Sequence, residues 1–244
     1  MVALSRRMQA VTALAEPGKT AADIGCDHGY VGIRLIQEGL FSKVIAMDVR
    51  PGPLETARKN VAYYRMEDAI ELRLSDGLRM LEIGEADCMI CAGMGGALIC
   101  RILENDPEKA QAMKQIILQP QSEIWLVRRF LRQHEYAIVK EDMVKEDGKY
   151  YPMFRAVRQT IGEELPEDGQ TLYDEYGKLL LEGNHPVLYE WLLHEQTVTR
   201  EILSGLQEVD GAEQNTDIDR RRRQRLWELQ EKQQRIEAAL SYYA

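Results

Sequence analysis

From Thr20 to Val157, short apolar runs of strand length alternate with segments of helical spacing, and this alternation restricts the fold more than any single motif. Thr20–Ile24, Lys43–Asp48, Ile70–Leu74, Ala86–Ala92 and Gln115–Gln119 read as strands. Tyr30–Glu38, Pro53–Tyr64, a stretch opened by Gly93-Met94-Gly95-Gly96 and running to Glu104, and Ser122–Gln133 read as the helices between them. Only a brief helical turn follows the third strand, and Ser122 is the expected cap of the helix it precedes. An amphipathic helix over Leu4–Glu16, stopped by Pro17-Gly18, comes before the first strand. Strands that alternate with helices need right-handed crossovers and a mainly parallel sheet. Tyr136–Glu141 and Tyr150–Val157 lie a hairpin apart across Lys145–Lys149, so one closing strand must run antiparallel. The expected architecture is a seven-stranded α/β sheet.

The pattern changes near residue 160. Residues 1–160 carry 22 basic and 22 acidic side chains, whereas residues 161–244 carry 9 and 18, so the net charge of −9 belongs to the last third. A Gly/Pro/acidic stretch over Ile161–Gly169 marks the expected boundary between a domain at 1–160 and a helical one at 161–244. In the second, Thr171–Leu181, Val187–Gln207 and Asp217–Tyr243 read as helices. Leu188, Trp191, Val198 and Ile202, and likewise Leu226, Leu229, Ile236 and Leu240, follow a 3-4 spacing that predicts an antiparallel coiled-coil hairpin. Arg220, Arg221, Arg222, Arg223 and Arg225 form a basic strip within this acidic tail. Such a strip is either a solvated helix face or a phosphate-binding one. The global charge therefore does not exclude a nucleic-acid partner.

No apolar run approaches the ~20 residues needed to span a bilayer. Arg6 and Arg7 interrupt the only apolar stretch near the start, which is not the layout of a secretion signal. Four cysteines suggest reduced thiols. The expectation is a cytoplasmic, monomeric protein with no membrane association.

In a sheet of this kind, ligands sit beyond the carboxyl ends of the strands. Those ends carry Asp23-Ile24-Gly25-Cys26-Asp27-His28-Gly29, Asp48, Ser75-Asp76-Gly77 and Ala92-Gly93-Met94-Gly95-Gly96. A dinucleotide fingerprint wants Gly-x-Gly-x-x-Gly facing a pyrophosphate. Here Asp27 stands where the middle glycine would be, and a carboxylate there repels pyrophosphate but tolerates a sulfonium and an ammonium. Each of Asp23, Asp48 and Asp76 alone also fits an ordinary polar strand end. Three acids after successive strands, with a matching glycine turn, favour S-adenosylmethionine (SAM) over NAD. An Asp/Asn-Pro-Pro-aromatic motif for exocyclic amines is absent after the fourth strand, where a glycine turn leaves backbone open to a flat base. Cys88 and Cys91 form a CxxC inside an apolar strand, which suits core cysteines better than metal ligands, and no metal is expected.

The strings Ala22–Tyr30, Asp76-Gly77-Leu78, Ala92–Gly96, Ile117–Pro120 and Glu146–Tyr150 resemble the TrmK family, bacterial tRNA (adenine-N1)-methyltransferases acting on adenine 22 in the D-arm region. The resemblance implies a class I SAM-dependent methyltransferase (Rossmann-like) domain with a C-terminal helical hairpin, SAM as methyl donor and tRNA as partner. It implies that Gly25, Asp27, Asp48, Asp76 and Gly93 surround SAM, with Asp23 and Gly77 beside them. It also implies that Asp27, His28, Met94, Gly95, Gly96, Gln119 and Pro120 border the target base. Cys26 stands where the family more often has serine or threonine, a small change that leaves room for the ligand. Asp27, with His28, is the expected catalytic group, and the arginine strip the expected phosphate contact. Two other readings remain open: a SAM enzyme acting on another RNA or a small molecule, and a non-catalytic nucleotide-binding module with a coiled-coil partner surface.

Overall fold

The computed structural model describes residues 1–159, 167–207 and 217–244. The chain separates into two compact units, Met1–Leu165 and Pro166–Ala244. Most of the stretch at 161–169, and residues 208–216, lie outside the described residues.

The first unit is built on a seven-stranded sheet: β1 (Gly18–Ile24), β2 (Phe41–Asp48), β3 (Ile70–Leu74), β4 (Cys88–Gly95), β5 (Gln115–Ser122), β6 (Tyr136–Glu146) and β7 (Lys149–Arg158). Its order is β3-β2-β1-β4-β5-β7-β6, and β7 alone runs opposite to the other six strands. The expected sheet and its antiparallel closing strand are both present. Helices α1 (Arg6–Ala13), α2 (Tyr30–Gln37) and α3 (Pro51–Tyr63) cover one face, and α4 (Gly96–Asn105) and α6 (Ile124–Gln133) the other; α5 (Pro107–Gln111) is a short turn with no counterpart in the sequence reading.

Alternation along each strand feeds the two cores. Ala22, Met89, Cys91 and Ile116 pack with Ile99, Leu103, Val127 and Leu131 of α4 and α6. Ala21, Cys88, Ile90 and Ile117 pack with Val11, Ile33, Leu35 and Ala57 of α1 to α3. Sheets buried on both faces need such near-continuous apolar strands.

Two local details differ from expectation. The hairpin is tighter than the spacing implied, because β6 and β7 are joined only by Asp147 and Gly148, at φ 49° and 75°. Both central residues left-handed is the signature of a type I′ turn, whose twist matches that of paired strands. Ser122 ends β5 rather than capping α6; Glu123 occupies the cap position, at φ 51°. Its carboxylate instead accepts the Ala97 N–H at 3.2 Å, near the start of α4.

The second unit contains α7 (Glu167–Tyr176), α8 (Lys178–Glu182), α9 (Pro186–Gln207) and α10 (Asp217–Leu240). Gly177, at φ 89°, breaks the single helix expected over 171–181 into two. Helices α9 and α10 pack as an antiparallel pair, with Lys232 of α10 on Glu195 of α9 and Arg222 on the Leu206 carbonyl. The buried line on α9 is Leu188, Leu192 and Thr199, one residue round from the expected seam, and Ile202 is exposed. On α10, Leu229 and Ile236 are buried as expected, joined by Ala239.

Candidate active site

The carboxyl ends of β1 to β4 open onto one cavity of about 860 Å³, which lies wholly within the first unit. Its floor is the turn after β1. Gly25, Asp27 and Gly29 have φ values of 72°, 49° and 73°, and α2 starts at Tyr30. The Gly25 and Cys26 N–H groups donate to the Met47 carbonyl at 2.8 and 3.0 Å, tying this turn to the end of β2. A Cβ on Gly25 would stand 2.2 Å from the Met94 methyl, so Met94 lies directly over a position that must stay bare.

Four carboxylates face the cavity in different states. Asp23 ends β1 at 4% exposure, and its Oδ2 has no hydrogen-bond partner. Burial pushes its pKa up to about 7, with the Asp48 charge adding to the effect. Asp48 ends β2, accepts the Arg50 N–H at 2.9 Å and pairs more loosely with the Arg50 guanidinium at 3.8 Å. Its own carbonyl receives the Ser75 N–H at 2.9 Å, which sets the β3 turn beside it. Asp76 is exposed at the rim, next to a buried Gly77 at φ 59°. Asp27 is exposed and stands 3.4 Å from His28 Nε2.

On the β4 side, Gly93 sits at φ 84° where the pairing of β4 with β5 slips between Ala92 and Met94. This bulge turns backbone toward the cavity. The structure thus brings Asp23, Gly25, Asp27, His28, Asp48, Asp76, Gly77, Gly93 and Met94 together on its walls.

It does not bring Gly95, Gly96, Gln119 or Pro120 there. A Cβ on Gly96 would stand 2.6 Å from the Glu123 carbonyl oxygen and 2.7 Å from that of Ser122, so this glycine lets α4 approach the β5–α6 turn. Gly95 faces the Ser122 hydroxyl. Gln119 is fully buried; its Oε1 accepts from Arg7 at 2.8 Å and its amide donates to the Pro120 carbonyl.

Arg7 is the residue that the sequence reading missed. It lines the cavity from α1, with its guanidinium 5.0 Å from the centre of the Tyr151 ring. Arg50, Arg101 and Gln121 also line the walls. Nothing in local sequence marks Arg7, because its place depends on β5 and β7, more than a hundred residues on.

Cys88 and Cys91 belong to cores on opposite faces of the sheet, and burial raises both thiols, Cys91 to about 12. No cluster among the described residues is arranged to hold a metal ion. No helix among them is long and apolar enough to cross a membrane. In the second unit Arg220, Arg221, Arg223 and Arg225 are exposed on α10. Arg222 is half-buried and committed to the Leu206 carbonyl of α9.

A family model described as a methyltransferase domain matches residues 4–154. A Bacillus subtilis protein named tRNA (adenine(22)-N(1))-methyltransferase is 30% identical over 241 residues, covering 98% of each chain. The crystal structure of the B. subtilis m1A22 tRNA methyltransferase TrmK superposes with a TM-score of 0.82 at 27% identity, covering 98% of this chain and all of that one. The M. capricolum TrmK, solved with S-adenosylhomocysteine, gives a TM-score of 0.80 at 25% identity over 98% of both chains. On this agreement, which runs through both units, the chain belongs to the TrmK family of methyltransferase-domain proteins.

Proposed function

We propose that this chain transfers a methyl group from SAM to N1 of adenine 22 in the D-arm region of tRNA. The end-to-end relation to the B. subtilis enzyme of that name carries the reading. The cavity supports it independently. A buried carboxyl with an unpartnered oxygen, Asp23, suits the ammonium of a bound amino acid. Asp48 and Asp76, at the ends of the next two strands, suit ribose hydroxyls and an adenine amino group, and Gly25 and Gly77 supply the left-handed backbones of the turns that line the cavity. The donor group supplies a methyl activated on a cationic sulfur.

Adenine N1 is neutral and carries an in-plane lone pair, so no base is needed before attack. The chain's task is alignment at near-attack distance. Met94, packed over Gly25, and the Gly93 bulge form the wall against which a flat base can rest. Asp27 is close to the reaction and exposed, and it stabilises the positive charge that develops on the methylated ring or accepts an N6 proton afterwards. His28, paired with it, orients that carboxylate. Gln119 and Pro120 act behind the wall, and Gly95 and Gly96 fix the turn that carries Met94.

The target adenine must leave its stack, at a cost on the order of a few kcal/mol. The exposed arginines of α10 help offset it by holding tRNA phosphates. The catalytic part is residues 1–160 and the RNA-holding part 161–244, working in the cytoplasm as a monomer. The test is to incubate the protein with unmodified tRNA and methyl-labelled SAM, then map the label. Label at N1 of adenine 22 is expected. Label elsewhere would give the same chemistry another substrate, and no transfer to any RNA would refute the assignment.

A further inference from the structure

The cavity is polarised across the sheet. Its acids Asp23 and Asp48 lie at the ends of β1 and β2 and Asp76 just after β3, and Arg50 on that side is paired with Asp48. On the other side of β4 the chemistry reverses. The space above Gly93, where a Cβ would lie, is 3.6 Å from Arg7 Nη1 and 3.6 Å from Gln121 Nε2, so two N–H donors converge on it. Arg7 is braced for that position by three elements. Gln119 of β5 accepts a hydrogen bond from its Nη1; Tyr151 of β7 lies beneath the guanidinium; and Glu146 of β6 accepts the Arg7 main-chain N–H at 3.4 Å. Among the described residues no carboxylate pairs with the Arg7 side chain. A half-buried guanidinium whose own two partners, Gln119 and Tyr151, are neutral has unspent capacity for an anion, and its planar fork matches phosphate oxygens.

We propose that Arg7, assisted by Gln121, binds a phosphodiester of the RNA next to the target nucleotide and so sets the depth to which the base enters. This rests on tRNA being the substrate. The two sides of the sheet decide between anions: the cofactor-type acids lie over β1 to β3, whereas Arg7 is anchored on β5 and β7, beyond β4. A nucleotide arriving over the Gly93 bulge brings its phosphate to that side.

The experiment uses the full-length protein carrying Arg7→Gln, with Arg7→Lys and Gln121→Leu alongside. SAM affinity is measured by calorimetry, tRNA binding by mobility shift and turnover by methyl transfer. For Arg7→Gln, KM for tRNA should rise about tenfold or more, as expected for loss of one charge-assisted phosphate contact, with SAM affinity unchanged. The salt dependence of tRNA binding should lose a slope of about one. Arg7→Lys keeps the charge and should recover part of the loss. If Arg7→Gln does not fold, Arg7→Lys and the exposed Gln121→Leu carry the same comparison.

A scan of single methylphosphonate linkages around adenine 22 closes the argument. One neutral linkage should weaken the wild type and leave Arg7→Gln indifferent. A loss of SAM affinity with unchanged tRNA binding would assign Arg7 to the cofactor's carboxylate and overturn the proposal. Penalties that add at every linkage would also overturn it. A wild type that binds tRNA but transfers no methyl would instead refute the proposed function, and the mobility-shift comparison would still decide the role of Arg7.

Discussion

Replacing Asp23 by asparagine removes one buried charge and keeps the shape of the side chain. In the folded chain the Asp23 carboxyl titrates at about 7, against 3.8 for the ordinary group, because burial penalises its ionised form and Asp48 adds to that. The folded state therefore holds this proton more tightly than the unfolded one, so stability falls as pH rises from near 4 and levels off above 7. With those two values, this group alone removes on the order of 2–3 kcal/mol between pH 5 and pH 8. Asp23→Asn lacks the loss. Without ligand, the variant should gain on the wild type by several degrees in Tm on going from pH 5 to pH 8. Thermal denaturation at the two pH values, in buffers of low ionisation heat, measures the difference. SAM should reverse the ranking. An ammonium beside Asp23 favours the carboxylate, so near pH 7 wild-type binding should release a fraction of a proton, seen as a buffer-dependent calorimetric heat. Asp23→Asn should release none from this site and bind more weakly. Parallel pH–stability curves for the two proteins would refute the reasoning at its root.

Asp27→Ala should slow methyl transfer at saturating SAM; a wild-type rate would remove Asp27 from the chemistry. Gly96→Ala forces a methyl against two carbonyl oxygens and should cost on the order of 2 kcal/mol or more in stability, read by denaturation, with KM for tRNA little changed in whatever folds. Gly25→Ala places a Cβ at φ 72° under the Met94 methyl, so it should cost about 1 kcal/mol in strain and lower SAM affinity, measured by calorimetry. Reversing charge at Arg221 and Arg223 should raise KM for tRNA and leave SAM affinity alone, whereas Arg222→Glu should also lower the Tm, since that side chain holds the end of α9. Unchanged tRNA kinetics in the double variant would dispose of the strip as an RNA contact.

The architecture was legible because its causes are local in sequence. Apolar runs such as Val44–Met47 and Cys88–Cys91 need cover on both faces, and the helices between them supply it. The acids at the ends of β1 and β2 were legible for the same reason, since each is the first polar residue where a buried strand stops, and Asp76 was legible from the Ser-Asp-Gly turn that ends β3. Glycines divided differently. Gly25, Gly93 and Gly96 look alike in a string, yet the first two have left-handed backbones facing the cavity and the third makes room for a helix against carbonyls. Only the fold separates them. The α9 seam was one residue off because 3-4 spacing leaves Trp191 and Leu192, or Val198 and Thr199, as equal candidates until a partner helix is placed. Arg7 was invisible: its supports are Gln119 and Tyr151, and no rule of spacing joins them to residue 7.

The strand order β5-β7-β6 has a consequence for how the protein is made. β6 bonds only to β7, so β5 remains an open edge until β7 has been synthesised. The first helix waits as well, since Arg7 meets Glu146, 139 residues later. At about 5–20 residues per second, α1 spends on the order of ten seconds or more without its β6 and β7 partners during translation. The nascent sheet is thus exposed to mispairing at β5, and the high contact order of this closure predicts slow final docking. The Arg7 niche is completed in that last step, so a ribosome-bound chain that has not yet extruded β7 has its cofactor turn but lacks the structure that aims Arg7.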